Sequence, residues 1–311
     1  MTPATIHGLP GIDGIGDLAR YLELPEWHVW SLVFEHREHY RTFQMAKRGG
    51  GYRLIAHPNK TLKRAQRWVL RSILDRLHTG NACYGFERGS SLVQHAAVHA
   101  GARSVLTMDF ENFFPSISIA RVNRVFQVAG YNPRAASILA HLCCRKGRLP
   151  QGAPSSPKLA NLACHQIDRR LMGGASSLGL KYSRYADDLS FSCNDPCLLV
   201  RAKPFIARIV GESGFRLNDR KTRIAGPSRA RKVTGLVISG DSVGIGRQKL
   251  RRLRAEVHAF HLGRAGSLVV LQGKLDHVSD VDPVRYRMLI AFVDSLLAKA
   301  TGPAAALRLR R

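Results

Sequence analysis

Three aspartates are the residues best able to do chemistry in this 311-residue chain. Asp187 and Asp188 are adjacent in the run Tyr185-Ala186-Asp187-Asp188, and Asp109 lies far upstream. Neighbouring side chains of an extended strand point to opposite faces, so two adjacent carboxylates can serve one site only from the apex of a hairpin. The flanks fit that placement: Tyr182 to Arg184 precede the acids, and Leu189, Phe191 and Cys193 alternate with Ser190 and Ser192 after them. Between Arg103 and Phe110 the residues also alternate, with Val105, Thr107 and Asp109 on one side and Leu106, Met108 and Phe110 on the other, so Asp109 ends a strand. Three carboxylates brought to one spot repel one another and are stable only around cations. Mg²⁺, with Mn²⁺ as a substitute, is the fitting ion because it takes carboxylate oxygens and shares substrate phosphates. Two such ions about 3.5–4 Å apart would activate a hydroxyl nucleophile and neutralise charge on the attacked phosphate, which is the chemistry of nucleotidyl transfer. The plainer alternative is an Asp-Asp pair in a solvated turn, and the neighbouring segments decide between the two.

The elements that must position these acids can be read from periodicity. Residues 13–36 predict two short helices broken at Pro25, with Trp27, Trp30 and Phe34 on one face. Tyr40 to Lys47 and Tyr52 to Ala56 predict a hairpin through Gly49, Gly50 and Gly51, flanked by Lys47, Arg48 and Arg53. A helix is expected from Thr61 to His78, a helical stretch from Ile119 to Cys144, and a Gly/Pro/Ser-rich loop from Gly147 to Pro157 that opens another helix through Leu171. Residues 180–193 read as a second hairpin, Arg201 to Gly214 as a helix and Val233 to Ser239 as one short strand. Two or three helices close the chain. In the first, Leu250, Leu253, Val257 and Phe260 form an apolar stripe with Lys249, Arg251, Arg252 and Arg254 around it. The tail with Arg308, Arg310 and Arg311 reads as a frayed cationic end. No repeat or linker is evident, so one interlocked unit is expected.

Charge sets the partner class. Lys and Arg number 48 against 22 Asp and Glu, a net charge of +26, while a hydrophobic share of 45% marks a folded chain. A polyanion, most simply a nucleic acid, suits basic residues spread along the whole length; a nonspecific basic protein is the alternative. The six cysteines form neither a disulfide framework nor a zinc framework and fit free buried thiols in a reducing cytosol. With no signal-like start and no long apolar run, a cytoplasmic protein with no membrane partner is expected.

Around the acids the order of segments is specific. Asp109 leads into Phe110, Glu111, Asn112, Phe113, Phe114, Pro115 and Ser116; residues 151–157 read Gln-Gly-Ala-Pro-Ser-Ser-Pro; Leu217, Asn218, Lys221 and Thr222 follow the acidic pair; and Val233, Thr234 and Gly235 come after those. In this order and spacing they resemble motifs A to E of reverse transcriptases, over roughly residues 15–290. The resemblance implies a right-hand polymerase, an α+β (α/β) fold with fingers, a palm of antiparallel sheet packed on helices, and a small helical thumb. It places N-terminal helices and fingers in 1–100, the palm in 101–240 with fingers interleaved around 120–170, and the thumb in 241–311. It implies that Asp109, Asp187 and Asp188 are catalytic and bind two metal ions. Phe114 resembles the aromatic gate that clashes with a ribose 2′-hydroxyl. Gln151 and Gly152 resemble the pair that faces the incoming nucleotide and the template base. Lys221 resembles the lysine near the triphosphate, although it is one cation among several, and Arg53 matches the fingers arginine that grips the triphosphate. Each also has a structural alternative: a core Phe, a plain turn, or solvated cations.

Among the branches of the family, the chain most resembles the retron reverse transcriptases, which copy part of a structured noncoding RNA into a branched RNA–DNA hybrid. The points of likeness are its length, Tyr84 to Phe86 followed by Gly89, Ser90 and Ser91, the stretch His95 to His99, and Val233 to Gly235. His99 stands where the branch keeps a His, while His95 replaces its usual Asn. The resemblance implies RNA contacts at His99, Val233, Thr234 and Gly235, and a thumb grip on duplex backbone by Lys249, Arg251 and Arg252. For the His pair, ordinary helix packing is the alternative, and a metal site lacks a third ligand. The partners implied are a cognate noncoding RNA serving as template and primer, the RNA–DNA hybrid product, deoxynucleoside triphosphates and an effector protein in antiphage defence. Asp276, Asp280, Asp282 and Asp294 are not arranged like a ribonuclease H centre, so a separate host ribonuclease H is expected. Competing readings are another small bacterial reverse transcriptase of abortive-infection, diversity-generating or group II intron-like type, an RNA-dependent RNA polymerase, and a non-catalytic RNA-binding protein on a polymerase scaffold.

Overall fold

The strand that ends in Asp109 lies inside a four-stranded antiparallel sheet whose two faces differ in chemistry. The structure is a computed structural model that describes residues 8–298 apart from 48, 49 and 265. Arg48 and Gly49 of the glycine turn, and the terminal Arg308, Arg310 and Arg311, therefore lie outside the described residues. In chain order the helices and strands are α1 (Ile15–Leu22), α2 (Glu26–Phe34), α3 (His36–His39), β1 (Tyr40–Ala46), β2 (Tyr52–Pro58), α4 (Lys60–Ser72), α5 (Leu92–Ala97), β3 (Ser104–Asp109), α6 (Phe113–Ser116), α7 (Ile119–Val128), α8 (Pro133–Cys143), α9 (Ser156–Ala163) and α10 (His165–Ser177). There follow β4 (Lys181–Tyr185), β5 (Asp188–Cys193), α11 (Pro196–Glu212), β6 (Arg223–Ala225), β7 (Arg231–Val233), β8 (Leu236–Ser239), β9 (Ser242–Gly244), α12 (Gly246–His261), α13 (Leu268–Val281) and α14 (Pro283–Leu297).

The central sheet has the order β4-β5-β3-β6. Its register pairs Asp109 with Asp188, Thr107 with Ser190 and Val105 with Ser192, and on the other side of β5 it pairs Tyr185 with Asp188 and Ser183 with Ser190. Directly opposed residues share a face. One face therefore carries the two acids, Tyr185 and a floor of Ser and Thr, while the other carries Leu106, Met108, Leu189, Phe191 and Tyr182. The apolar face packs into the main core with Leu171, Leu199, Ile206 and Val210 of the helices beneath. A second core joins Val105, Ala96, the sheet β7-β8-β9 and Leu250, Leu253, Leu275 and Leu289 of the closing helices.

Several expected elements divide where the backbone needs it. The stretch from Ile119 to Cys144 breaks at Gly130, whose φ of 98° lies in the left-handed region; Asn132 then caps α8 by accepting from the Ala135 N–H, with Pro133 in its first turn. The helix expected from Thr61 to His78 ends at Ser72 and continues as a short 3₁₀ turn, Leu74–Arg76. The helix opened by the Gly/Pro/Ser loop splits at Cys164 into α9 and α10. Val233 to Ser239 is not one strand. Thr234 and Gly235 both have positive φ, 46° and 83°, so the chain reverses there and β7 pairs back on β8. The sheet formed with β9 also crosses residue 240, where the sequence places the edge of the palm, because β8 and β9 pair across it. On α2, Val29, Leu32 and Val33 face the core and leave Trp27, Trp30 and Phe34 exposed. Four of the cysteines are buried, Cys193 is half-buried and Cys197 exposed, and burial pushes the Cys83 and Cys143 thiols up to about 11 and about 12.

Candidate active site

Asp109 closes β3 and is nearly buried; Asp188 opens β5 as its direct cross-strand partner. Asp187 sits in the two-residue turn between β4 and β5, where Ala186 has φ 56°, and its carbonyl accepts from the Phe110 N–H at 3.0 Å. The sequence thus folds three carboxylates to one place by two local devices, a strand end and a tight turn. Burial, and then the like charges of Asp187 and Asp109, push the Asp188 carboxyl up to about 7; burial and the Asp109 charge also raise Asp187. Lys221 donates to Asp109 Oδ2 at 2.7 Å. Burial opposes its charge, but the hydrogen bond to Asp109 and the field of the three carboxylates outweigh that and raise its pKa.

The donor set is hard, anionic and crowded, an arrangement whose repulsion a divalent cation relieves. Among the described residues no group of three or more His, Cys, Asp or Glu side chains is placed so that it could by itself hold a metal ion. The Lys221 ammonium takes one oxygen of Asp109 instead. Incomplete protein shells are normal for Mg²⁺, which keeps waters and shares substrate phosphates. The acids therefore fit a divalent metal held jointly with a substrate, and Lys221 neutralises part of their charge meanwhile.

A cavity of about 470 Å³ opens over this face, lined by Asp109, Asp188, Tyr185, Ser190, Thr107, Lys221, Arg223, Lys232, Thr234 and Gly235 among others. Arg53, on the exposed strand β2 opposite Met45, is near enough for its charge to lower the pKa of Asp187. Gln151 accepts from the Ala56 N–H at 2.8 Å, and a Cβ on Gly152, whose φ is 119°, would press on the Ala56 carbonyl. The Gln151–Gly152 turn and the β1–β2 hairpin are therefore seated on one another by backbone contact that only glycine permits. Phe114 is half-buried, its ring 6.4 Å from that of the exposed Phe86. Residues next to Phe86 in turn touch the acidic turn: a Cβ on Gly85 would overlap the Ala186 nitrogen.

Sequence reasoning missed what holds that turn. Arg184 is fully buried; it donates through Nε and Nη2 to Asp168, through Nη1 to Asn161 Oδ1 at 3.0 Å, and to the Ala186 carbonyl at 2.8 Å. Tyr182 donates to the same Asp168 at 2.7 Å, and Asn161 donates to the Gly85 carbonyl and to Glu87, itself paired with Lys158. A buried ion pair in which each of the three guanidinium nitrogens donates fixes the geometry of the turn from below. The one available signal was an arginine inside a strand of otherwise buried residues, which demands a partner.

Two of the expected RNA contacts are corrected. His99 is fully buried against the polar face of the sheet, with Nε2 2.7 Å from Ser183 Oγ and Nδ1 2.7 Å from Ser192 Oγ, so it clamps β4 to β5 and touches no solvent. Val233 is fully buried in the second core. Thr234 and Gly235 do reach the cavity, as do Lys232 and Arg223. Lys249, Arg251 and Arg252 are exposed on α12 and do not line the cavity; Arg252 is paired with Glu256 at 3.2 Å.

Comparison with known proteins places this arrangement. The model of the family described as reverse transcriptase (RNA-dependent DNA polymerase) matches residues 45–238, which include all three acids. The solved structure of telomerase from Candida albicans in complex with a fragment of telomeric RNA shares the fold, with a TM-score of 0.52 at 12% identity over 86% of this chain and 57% of that one. The chain belongs to the reverse transcriptase family and is an RNA-directed DNA polymerase with a right-hand fold, in a family that generally uses divalent metals. Within it the chain is of retron type. It is 40% identical over 294 residues to the retron Ec86 reverse transcriptase of Escherichia coli, covering 94% of this chain and 92% of that protein. Against the retron Mx162 and Mx65 reverse transcriptases of Myxococcus xanthus it is 32% and 38% identical, covering 96% and 72% of this chain and 70% and 56% of theirs. No helix among the described residues is long and apolar enough to cross a membrane.

Proposed function

We propose that this polymerase copies a structured noncoding RNA of its own into single-stranded DNA, leaving an RNA–DNA hybrid, with Asp109, Asp187 and Asp188 holding two Mg²⁺ ions. The observation that carries this reading is the cross-strand pairing of Asp109 with Asp188 beside the Asp187 turn. When bound, the ions supply an activated primer hydroxyl and charge neutralisation at the attacked phosphate. The protein's own residues do the rest. Arg53 and Lys221 hold the triphosphate, and the Asp109 oxygen that now accepts from Lys221 would be among those that hold a cation. Gln151 and Gly152 present a floor without bulk to the incoming nucleotide, and the Phe114 ring excludes a 2′-hydroxyl. The Thr234–Gly235 turn and the cations of α12 rest on the nucleic-acid backbone, which an enzyme that translocates must grip without reading sequence.

In this reading residues 1–100 supply N-terminal helices and fingers, 101–240 the palm with fingers interleaved around 120–170, and 241–311 the helical thumb, whose helices share a core with the β7–β9 sheet. An effector protein acting with the enzyme in antiphage defence and a separate host ribonuclease H complete it. The test is Mg²⁺-dependent deoxynucleotide incorporation on an RNA template. Asp187→Asn is expected to abolish incorporation, by more than about a thousandfold, with RNA affinity unchanged. Retained activity in that variant defeats the site assignment.

A further inference from the structure

The retron-like stretch His95 to His99 finds no direct role in the chemistry above, since both rings are buried. Their contacts are nevertheless specific. His95 Nδ1 is 3.2 Å from Thr234 Oγ1. The His95 ring packs 5.7 Å from that of Tyr185, which opposes Asp188 in the sheet, and 5.6 Å from that of Tyr84, whose N–H donates to the Arg184 carbonyl. It meets His99 edge-on at 6.0 Å, and His99 clamps Ser183 to Ser192. Thr234 is a β-branched residue held at φ 46°, a conformation such residues rarely adopt, so its hydroxyl is presented to His95 at a cost in backbone strain. Two further contacts staple the same regions together: Gly101 N–H to the Gly240 carbonyl, and Arg231 to the Ala102 carbonyl.

We infer that His95 is a positioning residue for polymerisation: through Thr234 on one side and Tyr185 on the other, it locks the Thr234–Gly235 turn to the catalytic hairpin, so that the two walls of the cavity move as one. This rests on the reading of Asp187 and Asp188 as catalytic. Thr234 and Tyr185 both line the cavity over the acids, and His95 is the side chain that touches both. A helix outside the catalytic motifs thereby sets the distance between nucleic acid resting on the turn and the metal-binding carboxylates. Small displacements there are costly, because reacting atoms must approach within contact distance.

The experiment compares wild type, His95→Ala, Thr234→Gly, Thr234→Ser and the His95→Ala/Thr234→Gly double variant on a simple RNA template with a DNA primer, with kcat, KM for deoxynucleotide and melting temperature read for each. Glycine accepts the turn's backbone and lacks the hydroxyl, whereas serine keeps it. His95→Ala and Thr234→Gly are each expected to lower kcat about tenfold with KM within about twofold, and Thr234→Gly to melt close to wild type. The double variant is expected to fall no further than the weaker single, and Thr234→Ser to recover most of the kcat that Thr234→Gly loses. Multiplicative losses in the double variant, a kcat loss that simply follows melting temperature, or serine no better than glycine would each overturn the inference. Should His95→Ala fail to fold, the glycine and serine variants decide alone. Asp187→Asn run in parallel separates the failures: activity in that variant sinks the catalytic assignment, whereas its inactivity beside a fully active Thr234→Gly sinks only the role of His95.

Discussion

Two tight turns border the same cavity, one through its flanking residues Tyr185 and Asp188 and the other through Thr234 and Gly235, and they are supported in opposite ways. The Ala186–Asp187 turn rests on Arg184, whose guanidinium is fully buried and bonded to Asp168, Asn161 and the Ala186 carbonyl. The Thr234–Gly235 turn is tied to the body of the protein by a side-chain bond to the neutral ring of His95. Each bends through a non-glycine residue at positive φ. The turn that carries Asp187 is over-determined by a buried charged network. The Thr234–Gly235 turn is coupled to the same hairpin through one neutral side-chain hydrogen bond to His95, whose ring packs on Tyr185. A charged network under one turn and a neutral link behind the other thus support two walls of one cavity.

The largest expected effect on this contrast comes from Arg184→Met. Removing one partner of a buried ion pair strands the Asp168 charge, with an expected loss of about 3–5 kcal/mol by chemical denaturation; a loss below about 1 kcal/mol would show that the network does not hold the turn. Next is the pH dependence of stability. Burial lowers His99 to about 3 and His95 to about 4, so both are neutral in the fold and protonate in the unfolded chain below about 6.5. Their contribution is complete above that pH and is lost as pH falls towards the folded values. Asp188, raised to about 7, works the other way and gains on acidification. In metal-free buffer the buried His99 alone contributes a loss of about 1.4 kcal/mol per pH unit between roughly 6 and 4, which the raised Asp187 and Asp188 carboxyls oppose. His99→Gln is expected to abolish that contribution to the slope in urea melts taken across this range, and an unchanged slope would remove His99 from the account. The smallest effect is expected for Ala186→Gly. Relief of the positive φ offsets the entropy of glycine, so stability should change by less than about 1 kcal/mol, with activity retained because Arg184 still holds the carbonyl.

What the sequence discloses follows from the range of the forces involved. The three acids were legible because a strand end and a hairpin apex are local patterns, and the motif order did the rest. The reversal at Thr234–Gly235 was hidden because threonine signals strand, and only the surrounding packing drives it into the left-handed region. For the His pair the spacing itself pointed to ordinary helix packing, and the RNA contact at His99 came only from the resemblance; the polar face of Ser183, Ser190 and Ser192 that buries the ring exists only once β4, β5 and β3 are assembled. The Arg184 network was invisible for the same reason, since Asn161 and Asp168 come from helices whose approach to β4 leaves no local trace.

The most direct test of the central claim is to count Mn²⁺ ions bound to the enzyme, with template–primer and a non-hydrolysable deoxynucleotide present, by equilibrium titration with magnetic-resonance detection. Two ions per wild-type complex and a loss of at least one in Asp187→Asn and in Asp109→Asn are the results predicted from the convergence of these carboxylates. Equal binding in all three proteins would contradict it.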